Sequence, residues 1–202
     1  MKKLTAIILA LATVICLFAA CGKKQETLTF ENYQYVLEED GTAKITKYLG
    51  EAQEDELVIP VTLGEGEGAP TVSAIGESAF EGSQALVKVS MPYSLIKIEK
   101  RAFAGSSISR LHMESCAEFK EIGAEAFKDC AKLVQVDMKA VETIGKDAFA
   151  SCVALMVFTV RTDAALSMDS FTDAGKFKMV LHDDCAQLIQ FAKDNGYEIQ
   201  TF

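Results

Sequence analysis

Apolar positions fall into two regimes along the chain. Leu4 to Ala20 form one uncharged run, whereas beyond about residue 70 the apolar side chains return in fixed columns. Phe recurs at Phe80, Phe103, Phe127, Phe149 and Phe171, with spacings of 23, 24, 22 and 22 residues, and Ala precedes the first four. Five residues before each Phe stands an aliphatic residue: Ile75, Ile98, Ile122, Ile144 or Leu166. Further apolar columns follow, as Leu86, Val89 and Met91, then Leu133, Val136 and Met138, then Leu155, Phe158 and Val160. The second unit carries them one residue early, as Ile108, Leu111 and Met113, and the fifth reads as Phe177, Val180 and His182.

A period of 22–24 residues is too short to close a core within one unit, so each unit must bury its columns against its neighbours, which predicts a solenoid. Period-2 alternation near the end of each unit, as in Val87-Lys88-Val89-Ser90-Met91, predicts one short strand per turn. The expectation is an α/β solenoid, an arc of about five repeats over residues 71–182 with a short parallel sheet. Five strands at about 4.8 Å make a sheet roughly 20 Å across.

The wording Ile-Gly-x-x-Ala-Phe, followed by Leu-x-x-Val-x-Met, resembles the BspA-like leucine-rich repeats of bacterial surface proteins. Both flanks share the resemblance: Asp40-Gly41-Thr42, Ile45 to Tyr48, Gly50 and Leu57 to Pro60 on one side, Cys185 to Phe202 with Asn195-Gly196 on the other. It implies an N-terminal β-hairpin cap over 28–70 and a C-terminal helix-strand cap over 183–202. Glu99 stands where the repeat has Gly, and Gly64 to Pro70 is a longer loop than usual.

The first block reads differently. Met1-Lys2-Lys3, the apolar run and the small residues before Cys21 have the layout of a secretory signal peptide over 1–20. Ala19-Ala20-Cys21 resembles the lipobox of bacterial lipoproteins, which implies a lipid on Cys21, a tether over 21–27 and a place on the outer face of a bacterial cell membrane. A single apolar anchor is the alternative; its 17 residues are barely enough to cross a bilayer.

Charge sharpens this. The chain has 20 basic and 29 acidic side chains, a net charge of −9; losing Lys2 and Lys3 with the signal leaves 18 against 29, a net −11. Such a surface argues against nucleic acid, which demands clustered Lys and Arg. Candidate chemistry is sparse, with His112 and His182 as the only histidines and neither a Gly-x-Ser-x-Gly nor a His-Glu-x-x-His motif. An enzyme is not expected, and no cofactor or metal is implied.

After Cys16 and Cys21, the remaining cysteines are Cys116, Cys130, Cys152 and Cys185. Cys130 and Cys152 each lie three residues after a repeat Phe, in one column of adjacent coils. Their Cα atoms are expected about 5 Å apart, inside the disulfide window, although stacked side chains often miss the required torsion. A bridge and two free thiols both remain open, and the family resemblance implies a small buried Cys at this column.

The sheet face supplies the binding candidates. Side chains alternating with the buried columns are Lys88, Ser90, Arg110, His112, Gln135, Asp137, Val157, Thr159, Met179 and Leu181. This face, polar and cationic at one end and apolar at the other, is expected to hold a protein ligand; the alternative is that Met179 and Leu181 lie under the C-terminal cap. The resemblance implies adhesion to host or neighbouring-cell proteins; a short tether points instead to an envelope scaffolding role.

Overall fold

A computed structural model describes residues 25–50, 56–84, 87–166 and 169–202; Cys21, the signal segment and most of the tether lie outside the described residues. In chain order the elements are β1 (Leu28–Phe30), β2 (Tyr33–Leu37), β3 (Ala43–Tyr48), β4 (Glu56–Val58), β5 (Val72–Ile75), β6 (Lys88–Ser90), β7 (Lys97–Ile98) and β8 (Arg110–Met113). They continue with β9 (Glu121–Ile122), β10 (Gln135–Met138), β11 (Thr143–Ile144), β12 (Val157–Val160), β13 (Ala165–Leu166), β14 (Lys178–Leu181), α1 (Ala186–Asp194) and β15 (Glu198–Thr201).

The strands wind into a β-solenoid. One sheet runs β1-β2-β3-β5-β7-β9-β11-β13, antiparallel over β1 to β3 and parallel thereafter; the other runs β4-β6-β8-β10-β12-β14-β15 and is parallel throughout. Each turn therefore contributes two strands, where alternation predicted one. The extra strand is only two residues long in β7, β9 and β11, too short to show a period in sequence.

The parallel sheet also extends beyond the expected five strands. β4, inside the segment read as a hairpin, pairs with β6 and opens the sheet, while β15 closes it after the helix. The solenoid thus has about six turns, and α1 is its one helix among the described residues.

Between the sheets lies the core. Phe80, Phe103, Phe127, Phe149 and Phe171 stack along the solenoid axis with ring centroids 4.8–5.4 Å apart and planes within 10° of parallel. Tyr48 stacks on Phe80 at 5.2 Å and carries the ladder into the first turn, where the Phe spacing is not kept. The repeat distance of a parallel ladder is close to the preferred separation of offset rings, so one aromatic per turn fills its column continuously.

The backbone around the ladder is equally periodic. Ser78, Arg101, Glu125 and Asp147, each two residues before a Phe, adopt positive φ of 56–57°. The Phe amides then donate to the next coil, Phe80 to Ala102 O and Phe103 to Ala126 O, forming a third ladder along the axis. At Gly145 a Cβ would come within 2.7 Å of the Ala124 nitrogen, which is why the turn after the aliphatic column is glycine. Glu99 occupies the equivalent place in the second unit and turns its carboxylate outward to Lys97 at 3.0 Å and Lys44 at 3.3 Å.

Cys116, Cys130, Cys152 and Cys185 are free and buried. The thiols of Cys130 and Cys152 each donate to a backbone carbonyl one coil back, Phe103 O and Phe127 O, both at 3.1 Å. The Cys column is thus a satisfied core position. Burial pushes Cys116 and Cys130 up to about 11 and Cys152 higher still.

Candidate functional site

The outer face of the seven-stranded parallel sheet is built by register. One row crosses it as Glu56, Lys88, Arg110, Gln135, Val157, Lys178 and Glu198; a second runs Val58, Ser90, His112, Asp137, Thr159, Val180 and Gln200. Intervening residues such as Val89, Leu111, Val136 and Phe158 are buried, so alternation forces both rows to the surface. The expected residues Lys88, Ser90, Arg110, His112, Gln135, Asp137, Val157 and Thr159 come together here.

Met179 and Leu181 correct the sequence expectation. Both are fully buried, and β14 instead turns Lys178 and Val180 outward, in register with Val157 and Thr159. The fifth unit has lost one residue before its strand, as the second has, which shifts every side chain to the other face. His182, expected inward, lies past the end of β14, where its Nδ1 accepts from the Asp184 backbone amide at 3.3 Å.

Sequence reading missed Glu56, Val58, Lys178, Val180, Glu198 and Gln200. The signal for Lys178 was available, because a lysine in a strand with one buried face belongs on the wet side. β4 and β15 carried none, being separated from the periodic block by a loop and by α1.

Hydrogen bonds pin parts of the face. Ser90 Oγ donates to Glu56 Oε1 at 2.5 Å, the Gln135 amide donates to Asp137 Oδ2 at 2.5 Å, and Lys178 Nζ meets Glu198 Oε1 at 3.0 Å. Arg101 and Arg161 each have carboxylate partners, Glu81 and Glu125 for the first and Glu114 for the second. Arg110 is the one arginine without an ion pair among the described residues, and Lys88 beside it has none either.

Next to Val157 the face opens into a groove of about 460 Å³ lined by Met156, Val157, Lys176, Phe177, Lys178, Gly196 and Glu198. Met156 is 65% exposed at its lip, an apolar residue that burial in the core does not explain. Among the described residues no group of three or more His, Cys, Asp or Glu side chains could hold a metal ion, and no helix is long and apolar enough to cross a membrane.

Two stacked sheets with one aromatic per turn and an open parallel face define a leucine-rich-repeat solenoid. Residues 67–177 match six copies of the BspA type leucine-rich repeat region, and the chain belongs to that family. Among solved structures, a T. pallidum leucine-rich repeat protein is 26% identical, with a TM-score of 0.64 and coverage of 79% of this chain and 78% of that one. A leucine rich cell surface protein of Faecalibacterium prausnitzii A2-165 is 24% identical at a TM-score of 0.63, covering 79% of this chain and 45% of that one. The pneumococcal vaccine antigen PcpA shares the fold at 18% identity and a TM-score of 0.55, over 80% and 51% of the two chains. No curated protein matches the sequence significantly. Proteins of this family are typically bacterial surface proteins, and their repeats are generally protein-binding scaffolds without enzymatic activity.

Proposed function

We propose that the chain is an exported lipoprotein, anchored through Cys21 on the outer face of a bacterial cell membrane, that recognises a protein partner on the open face of its seven-stranded sheet. One observation carries the reading: Arg110, the arginine without a carboxylate partner among the described residues, shares a register row with the outward Val157. A surface serving only stability gains nothing from an arginine without a carboxylate partner in one row with an outward aliphatic strand position on a net-acidic chain. Repeat scaffolds use such continuous faces for extended partners.

Two partner classes fit, host or neighbouring-cell proteins and other envelope proteins. The tether favours the second, since only residues 21–27 separate Cys21 from β1 at Leu28. Replacing both Arg110 and Val157 by Glu is expected to abolish capture of the partner that a photo-cross-linker at Gln135 identifies in living cells, with an unchanged melting temperature. Retained capture would sink the proposal. Protease shaving of whole cells separates the two classes, because only an exposed adhesin is clipped, and Cys21→Ser is expected to eliminate palmitate labelling.

A further inference from the structure

The open face sets two chemistries side by side. Lys88 and Arg110 are register partners on adjacent strands, about 4.8 Å apart at the backbone, and neither meets a carboxylate among the described residues. Along the same row the third cation, Lys178, is paired with Glu198. Among the described residues, positive charge without an ion pair is therefore concentrated at the β6–β8 end, one strand from Glu56, whose carboxylate is engaged by Ser90. Gln135 follows, its amide engaged by Asp137, and then come Val157 and the groove. Lys176, on the groove's lip, also has no ion pair among the described residues.

We propose, resting on the reading that this face is the recognition surface, that its occupant is an extended acidic protein segment lying across the strands along this row. It sets one or two carboxylates against Lys88 and Arg110 and an apolar side chain into the groove beside Met156 and Val157.

Spacing fixes the motif. The groove is centred on β14, three strand steps from Arg110, or about 14 Å. An extended chain advancing about 3.4 Å per residue covers that distance in four residues, and residues four apart point to the same side. The ligand thus reads as an acidic residue followed at the fourth place by a large apolar one. The arginine fork suits a planar carboxylate, and the exposed methionine suits an apolar side chain of variable shape. The acidity of the chain as a whole repels a diffuse polyanion, so attraction must be local and helped by apolar burial. Those conditions favour a peptide over a sulfated glycan.

The test uses the full chain in detergent and a fluorescein-labelled peptide, Gly-Glu-Glu-Ser-Thr-Ser-Leu-Ser-Gly, followed by fluorescence anisotropy. Saturable binding is expected, weakened at least about tenfold by Arg110→Glu, by a Lys88→Glu, Arg110→Glu pair, or by Ser for Leu in the peptide, a loss of about 1.4 kcal/mol or more. Raising salt from about 50 to about 500 mM should weaken it as well. Lys47→Glu, off the face, is expected to bind like the wild type, and circular dichroism melts of all variants should coincide. Absence of saturable binding, or equal binding by Arg110→Glu, overturns the inference. Equal binding of a peptide with Lys in place of Glu overturns the acidic assignment, and binding of a heparin oligosaccharide but not the peptide makes the occupant a glycan. These outcomes leave the face itself standing if Gln135 still cross-links a partner in cells; if it cross-links none, the proposed function fails and not merely the choice of occupant.

Discussion

At the scale of single residues, the cysteine column shows how a free thiol can serve as a satisfied core position. Cys130 is fully buried, its Sγ lies 3.1 Å from the Phe103 carbonyl, and burial holds its pKa at about 11 against an ordinary 9.0. A thiol whose folded pKa is raised contributes stability that is fully present below pH 9 and is lost as pH climbs toward 11, because the unfolded chain ionises first. Within that window each such thiol lowers folding stability by about 1.4 kcal/mol per pH unit. The urea midpoint of the wild type should therefore fall more steeply between those pH values than that of Cys130→Ala; parallel profiles would show that Cys130 does not titrate as a buried thiol. The column itself was legible in sequence, three residues after Phe127 and Phe149. Its hydrogen bonds were not, since the acceptors Phe103 O and Phe127 O belong to the preceding coil.

At the scale of elements, β14 marks the limit of periodic reading. Phe177-Lys178-Met179-Val180-Leu181 offers apolar residues on both alternations, so counting from Phe171 leaves the register undecided, and one deleted loop residue reverses the faces. What decides it is packing: Met179 and Leu181 fill the core, while Lys178 reaches Glu198. A lysine at position 179 would be a buried unpaired charge, and Met179→Lys is expected to cost about 3–5 kcal/mol. Val180→Lys, on the partly exposed second row, should stay within about 1 kcal/mol. A larger loss by thermal denaturation for Val180→Lys than for Met179→Lys would restore the register read from sequence. The same limit applies to α1, whose first amides at Gln187 and Leu188 donate to both carboxylate oxygens of Asp163, at 3.1 and 3.2 Å. A cap supplied from the preceding repeat leaves no mark in the helix's own sequence.

At the scale of the whole molecule, a solenoid is stable only where its last turn is covered, because each repeat's core is completed by its neighbour. The 22–24-residue period was visible in the Phe columns, but where the stack ends was not, since the terminal turns use different residues. At the C-terminal end the cover is visible: Tyr197 lies 4.5 Å from the Phe177 ring, Phe191 lies 6.1 Å from Phe171, and Leu188 and Ala192 are buried. β15 then takes up the hydrogen bonds of β14 along its whole length. Removing residues 183–202 would strip the rings from Phe171 and Phe177 and leave β14 as a bare parallel edge with apolar side chains on its core face, a template for pairing with another chain. The truncated chain is expected to elute as oligomers or to precipitate, whereas the full chain's repeats stay monodisperse under the same conditions, as read by size-exclusion chromatography with light scattering. A truncated chain that remained monomeric and melted within a few degrees of the full one would show that the last repeat closes its own core, and the stack would then owe nothing to α1 and β15.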